Sequence, residues 1–229
     1  MNPSAPRLPF DPSSRSRLTR RDLGRFPDGS LFHAIGRAVC EAECLPRKEL
    51  FEAWEVARRV RRRFRGGRIV DLACGHGLLA HILMLLDDTS PRAIAADIRI
   101  PISAAKIAEA MVRGWPRIEG RIERVERRIE EVDVGPEDLV VSVHACGTLT
   151  DRVIERAVAA SARVAVLPCC QDVRLCATGG LEGWLDPVLA IDVERAMRLR
   201  LHGYTVRTEL IPHAITEKNR LLLAEPAAR

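Results

Sequence analysis

The sequence predicts an α/β fold: a seven-stranded, mostly parallel sheet with helices on both faces, and a helical cap at its N-terminal end. Three observations carry this. From residue 67 onward, short apolar runs alternate with stretches of helical period, and repeated β–α units build parallel sheets. The runs are nearly unbroken in Val, Ile, Leu and Ala, as strands covered on both faces are. Hydrophobic residues make up 47% of the 229 residues, enough for one core of that size.

The elements follow in order. Residues 1–28 hold several Pro, Ser and Arg with no apolar period and are expected as a loose basic tail. Residues 29–66 form the cap. Leu31, Ile35 and Val39 recur at fourfold spacing, then Leu50, Trp54, Ala57, Val60 and Phe64, with Pro46 dividing two helices. Residues 67–229 form the main domain. Its strands are expected at Ile69–Leu72, Ala93–Asp97, Ile122–Val125, Leu139–Val143, Val164–Leu167, Tyr204–Leu210 and Leu221–Ala224. Between them, helices are expected at Leu78–Leu86, Ile102–Val112, Asp151–Ala160 and Val188–Leu201.

No apolar run is long enough to span a bilayer, and the N-terminus lacks the pattern of a signal peptide. A cytoplasmic protein is expected. Its seven cysteines, an odd number, read as free thiols rather than a disulfide framework. The net charge of +5 is a mild bias toward anionic partners such as nucleic acid. Six arginines between Arg58 and Arg65 read either as a solvated helix face or as a phosphate track. With 4% aromatic residues, base-stacking platforms are not expected, so RNA would be met through phosphate and shape.

The strongest local feature is Val70-Asp71-Leu72-Ala73-Cys74-Gly75-His76-Gly77-Leu78. A strand ends in an acid, turns through glycines and enters a helix. Gly75 and Gly77 allow close approach to a ligand, at the sheet edge where open α/β folds bind theirs. Asp97 ends the next strand, where a carboxylate accepts from both hydroxyls of a ribose. Glu126, after the third strand, is a candidate adenine contact. The D-x-A-x-G-x-G form resembles motif I of class I methyltransferases, a Rossmann-like group. That resemblance implies S-adenosylmethionine as cofactor, held by Asp71, Ala73, Gly75, Gly77, Asp97 and Glu126.

Strands four and five run into His144-Ala145-Cys146-Gly147-Thr148-Leu149-Thr150-Asp151 and Pro168-Cys169-Cys170. His and Cys are the types that move protons, attack electrophiles or bind metals near neutral pH. Taken with the glycine loop, these two segments resemble the methyltransferase-domain-32 family, a group similar to eukaryotic tRNA 2′-O-methyltransferases of the acceptor stem. The resemblance covers about residues 47–226, including Ile215-Thr216-Glu217-Lys218-Asn219-Arg220-Leu221. It implies RNA modification, with tRNA as the partner and a ribose hydroxyl as acceptor. The zinc-finger-like N-terminal modules of the eukaryotic enzymes are not seen here, since Cys40 and Cys44 alone cannot complete a four-ligand site.

On this reading His144, Cys146, Cys169 and Cys170 line the methyl-transfer pocket, with His144 as base. Zinc is the weaker alternative. The segments share part of the deaminase pattern, but Cys146 stands where its Glu belongs and the last two cysteines are adjacent rather than spaced. No metal is expected. Cys74 and Cys176 read as small buried hydrophobes, and Cys169 and Cys170 divide evenly between that role and the pocket. A small-molecule or protein acceptor stands as the second enzymatic reading, and a non-catalytic RNA-binding module as the third. Oligomeric state is left open.

Overall fold

The computed structural model describes residues 10–227. Two cap helices come first, α1 (Leu31–Ala42) and α2 (Arg47–Arg63). Ser30 caps α1 by accepting from the His33 amide, and Glu43 ends it in the left-handed conformation. The main domain alternates β1 (Ile69–Leu72), α3 (Leu78–Leu86), β2 (Ala93–Asp97), α4 (Ala104–Gly114) and β3 (Ile122–Glu126). It continues with β4 (Leu139–Ser142), α5 (Thr148–Ala159), β5 (Arg163–Val166), α6 (Pro187–Leu201), β6 (Tyr204–Leu210) and β7 (Arg220–Pro226).

All seven expected strands are present, in one sheet of order β3-β2-β1-β4-β5-β7-β6. The first five are parallel, and β7 inserts antiparallel between β5 and β6. Helix α5 begins three residues before its expected start, because it opens directly from Gly147 at the end of the β4 loop.

Alternation along the strands divides the core. Ile69, Leu139, Val141, Ala165 and Leu223 face α1 to α4. Val70, Val140, Val164, Val166 and Leu222 face α5 and α6. Asp71 follows the parity of Ile69, so its carboxyl points toward the cap. That is how the cap comes to wall the site.

The N-terminal segment corrects the expectation of a loose tail from Phe10 onward; residues 1–9 lie outside the described residues. Leu18 is fully buried and Phe26 nearly so, each worth about 1.5–3 kcal/mol relative to exposure. Phe10, Phe26, Phe32 and Phe51 pack as a chain of aromatic rings, and the Arg47 guanidinium lies 3.9 Å over Phe10. Backbone bonds from Leu18 to Leu45, Arg47 to Ser16 and Lys48 to Ser14 strap the segment across the start of α2. A few isolated apolar residues hold it, so no period announced it.

Of the two readings of the arginine run, the solvated helix face is the one the structure fits. The run ends α2 at the sheet edge opposite the glycine loop. Arg61 is buried against Asp87 at 2.9 Å, Arg58 pairs with Glu55 and Arg62 with Glu209. Arg63 pairs with Glu225. Arg58, Arg62 and Arg65 remain 48%, 63% and 63% exposed, so the run is largely a solvated, ion-paired face that lies away from the glycine loop.

Candidate functional site

The site begins where β1 ends. Ala73, Gly75 and Gly77 all have positive φ, at 54°, 53° and 74°. That conformation is cheap for glycine and costs an alanine roughly 1–2 kcal/mol. A Cβ on Gly75 would meet nothing within 4 Å, so the loop's backbone borders open space. Two carboxylates hold the loop. Asp71 Oδ2 accepts from the Ala80 amide at 3.3 Å, and Asp97 Oδ2 accepts from the Gly75 amide at 2.9 Å. Asp97 ties the ends of β1 and β2 together.

Two cavities flank the loop and Ala73 lines both. One is a cleft of about 200 Å³ between Asp97, Ile98, Ile129, Leu149 and Arg128. Ile98 is 68% exposed and Leu149 39%, two large apolar side chains left at a cleft wall. A flat aromatic base with a ribose beside it fits this arrangement: apolar walls for the ring and the Asp97 carboxylate for the hydroxyls. Glu126 lies in register with Asp97 but accepts from the Ile100 amide at 3.0 Å. It orders the loop after β2 and is not among the residues lining the cleft, which instead receives the segment just after it.

The second cavity is a recess of about 20 Å³ under the glycine loop, lined by Glu49, Asp71, Cys74, His76 and His144. It has room for about one water. Its electrostatics are unusual. Burial, with the Asp97 charge behind it, pushes Asp71 up to about 8. Burial and the neighbouring Glu52 push Glu49 up to about 7. Burial, with the positive charge of Lys48, pulls His144 down to about 4, so its imidazole is neutral at pH 7. His76 is lowered by burial and by Arg17, and its Nε2 lies 3.0 Å from Ser103 Oγ.

The structure thus gathers Asp71, His144 and the glycine loop around one recess. Cys146, Cys169 and Cys170 meet one another instead, at the ends of β4 and β5. Cys146 Sγ is 2.9 Å from Cys169 Sγ, which is 3.7 Å from Cys170 Sγ. Burial raises the thiol pKa of Cys146 and of Cys169. Adjacency in sequence, taken as an argument against metal binding, does not prevent the three sulfurs from converging. Cys74 and Cys176 are buried.

Sequence reasoning missed Glu49 and His76. A signal for Glu49 was present: with Ala53, Val56 and Val60 it lies at i, i+4, i+7 and i+11, on the buried stripe of α2. A carboxylate on an apolar stripe needs a partner or a task.

A mostly parallel sheet of this order, with an acid-anchored glycine loop at its carboxyl edge, is that of an S-adenosylmethionine-dependent methyltransferase, the class to which the family match assigns the chain. Residues 49–176 match the methyltransferase-domain-32 family, described as a methyltransferase domain, and the chain belongs to it. No curated protein matches it in sequence. Among solved structures, it is similar to an O-methyltransferase family protein from Burkholderia thailandensis. The identity is 17% and the TM-score 0.53, over 97% of this chain and 68% of that one. It is also similar to a candidate rRNA methylase from Clostridium thermocellum, at 13% identity and TM-score 0.52, over 75% and 93%. At such identities the likeness is one of fold. No helix among the described residues is long and apolar enough to cross a membrane.

Proposed function

We propose that this enzyme methylates RNA, at a ribose hydroxyl of tRNA. The observation that carries the anionic acceptor is the strap. It brings exposed Arg15 and Arg17 to the start of α2, beside Lys48. Arg17 and Lys48 act on residues of the recess, His76 and His144, and Arg15 acts on Glu52, the neighbour of Glu49. No ion pair of Arg15 or Arg17 occurs among the described residues. Unpaired arginines at the mouth of a site suit a phosphate backbone. The choice of tRNA rests on the motif resemblance.

Asp71 and the Ala73–Gly77 loop would hold the methionine end of the cofactor, Asp97 the ribose, and Ile98 and Leu149 the base. S-adenosylmethionine would supply an electrophilic methyl group on a positively charged sulfur, open to in-line displacement by an acceptor oxygen with the electron pair of the broken bond left on sulfur. Alignment and exclusion of water do most of the work in such an in-line displacement. The hydroxyl proton passes by way of neutral His144 to the Glu49 carboxylate, which lines the same recess and is the stronger proton acceptor near neutral pH. Cys146, Cys169 and Cys170 wall the acceptor side.

The test is label transfer from radiolabelled S-adenosylmethionine into extract of cells lacking this gene. The expected label is destroyed by ribonuclease and maps to a 2′-O-methyl nucleoside. Label that resists ribonuclease and yields to protease, or runs as a small molecule, overturns the RNA reading.

A further inference from the structure

We propose that Cys146, Cys169 and Cys170 form a site for a soft divalent cation of the zinc class, held by three thiolates with its fourth position open to solvent. The site is built by the sheet. β4 and β5 are parallel neighbours with Ser142 opposite Val166, so the loops leaving them run side by side. Two backbone bonds fix those loops: Leu167 donates to Ser142 and, at 2.8 Å, Gly147 donates to the Cys170 carbonyl. Cys146 enters from one loop, Cys169 and Cys170 from the other.

All three sulfurs lie within 4.8 Å of one another. Around a tetrahedral zinc with bonds of about 2.3 Å, thiolate sulfurs stand ~3.8 Å apart. The 3.7 Å between Cys169 and Cys170 already matches that spacing. The 2.9 Å between Cys146 and Cys169 is too short for it, and opening it asks for a turn of the exposed Cys146 side chain. Cys146 stands just ahead of the N-terminus of α5, a 12-residue helix, whose dipole works against the burial that keeps these groups as thiols, and a bound cation supplies the charge that ionises them. Among the described residues no fourth His, Cys, Asp or Glu joins the group. Three protein ligands and an open position are the arrangement of an accessible zinc site rather than a closed structural one. Soft thiolates select zinc over magnesium or calcium. On binding, the three thiols release their protons to solvent. A disulfide between Cys146 and Cys169 would use the short distance but would leave Cys170 unexplained.

The test uses the full-length protein, reduced, stripped of metal by chelation and kept free of oxygen. It is titrated with Co²⁺, which gives thiolate-to-cobalt absorption in the near ultraviolet. One Co²⁺ per chain is expected, with the strong visible bands of a tetrahedral site, and Zn²⁺ should displace it. Cys146→Ser, Cys169→Ser and Cys170→Ser should each weaken or abolish the signal while circular dichroism shows them folded. Cys176→Ser, outside the group, should keep it. Absence of thiolate absorption in the reduced protein overturns the proposal. So does a spectrum indifferent to Cys170→Ser, or protein isolated metal-free with Cys146 and Cys169 joined, as peptide mapping would show. None of these readings depends on methyl transfer, so failure here leaves the proposed activity standing.

Discussion

Asp97 reaches back across the sheet edge to accept the Gly75 amide at 2.9 Å. One carboxylate thus fixes the glycine loop while its other oxygen, bonded only to the Arg99 amide at 3.3 Å, stays available at the cleft. Asp97→Ala removes both services. Hydrogen bonds to a charged group are worth about 1.5–3 kcal/mol each, so S-adenosylmethionine affinity should fall ~10²-fold or more. Asp97→Asn keeps an acceptor for Gly75 and should lose about tenfold. Calorimetric titration measures both. An Asp97→Ala protein that binds as tightly as the parent removes Asp97 from the cofactor site.

Arg61 and Asp87 predict a stability effect far from the chemistry. Both side chains are 2% exposed, and Arg61 also donates to the Leu83 and Phe64 carbonyls and to Ser90. Removing one partner of a buried pair strands the other, at about 3–5 kcal/mol. Arg61→Ala should therefore shift urea unfolding by that amount, with cofactor affinity of the folded protein unchanged. Burial opposes ionisation of Asp87, but hydrogen bonds from Thr89 and Gly66 and the charge of Arg61 hold its carboxyl down at about 2. A lowered carboxyl stabilises above its ordinary pKa, and the benefit is lost as pH falls through about 2. Arg61→Ala should erode that acid resistance. An unfolding midpoint unchanged at neutral pH would show the pair to be inert.

These residues show what was legible. The strands of the main domain are read from their apolar runs because burial on both faces leaves no alternative composition. The glycine loop and Asp97 are read because a turn with open backbone needs glycine and a strand-end acid has few other tasks. Arg61 was not legible: its partner Asp87 lies 26 positions on, and only the packing of α2 on α3 brings them together. Leu18 and Phe26 were missed for the same reason, as lone apolar residues without a period. The meeting of Cys146 with Cys169 depends on β4 and β5 being neighbours, which strand order decides. His144 and Cys146 are two positions apart, a spacing that shares one face along a strand, yet they serve different neighbourhoods because β4 ends at Ser142 and both lie in the loop beyond it.

Glu49 should set the pH dependence of turnover. Its pKa, pushed up to about 7 by burial and Glu52, places a proton acceptor at working pH. The rate should rise up to tenfold per pH unit below about 7 and level above it. Glu49→Gln should flatten the profile and lower kcat by ~10²-fold. Stability should move the other way. A carboxyl with raised pKa contributes stability below its ordinary value of 4.5 and loses it as pH rises through about 7. The glutamine variant should therefore be more stable than the parent at pH 8, by on the order of 1 kcal/mol. Equal pH–rate profiles for the two proteins would dismiss Glu49 as a base. A less stable variant would show the carboxyl to be a structural anchor.

The strap arginines separate acceptor binding from cofactor binding. Arg15 and Arg17 are exposed on a segment anchored by Leu18, which is fully buried, so Arg15→Glu/Arg17→Glu should fold as the parent does. If both arginines meet phosphates, each released counterion adds about 0.9 to the slope of log affinity against log salt. The double variant should lose ~2 from that slope and bind tRNA weakly at low salt, with S-adenosylmethionine affinity unchanged. The measurement is filter binding across a salt series, beside calorimetry for the cofactor. Parallel slopes for variant and parent would mean that phosphates do not sit on the strap, and the acceptor would then be sought among uncharged molecules. A fall in cofactor affinity would place the strap's role within the recess, acting through His76, rather than at its mouth.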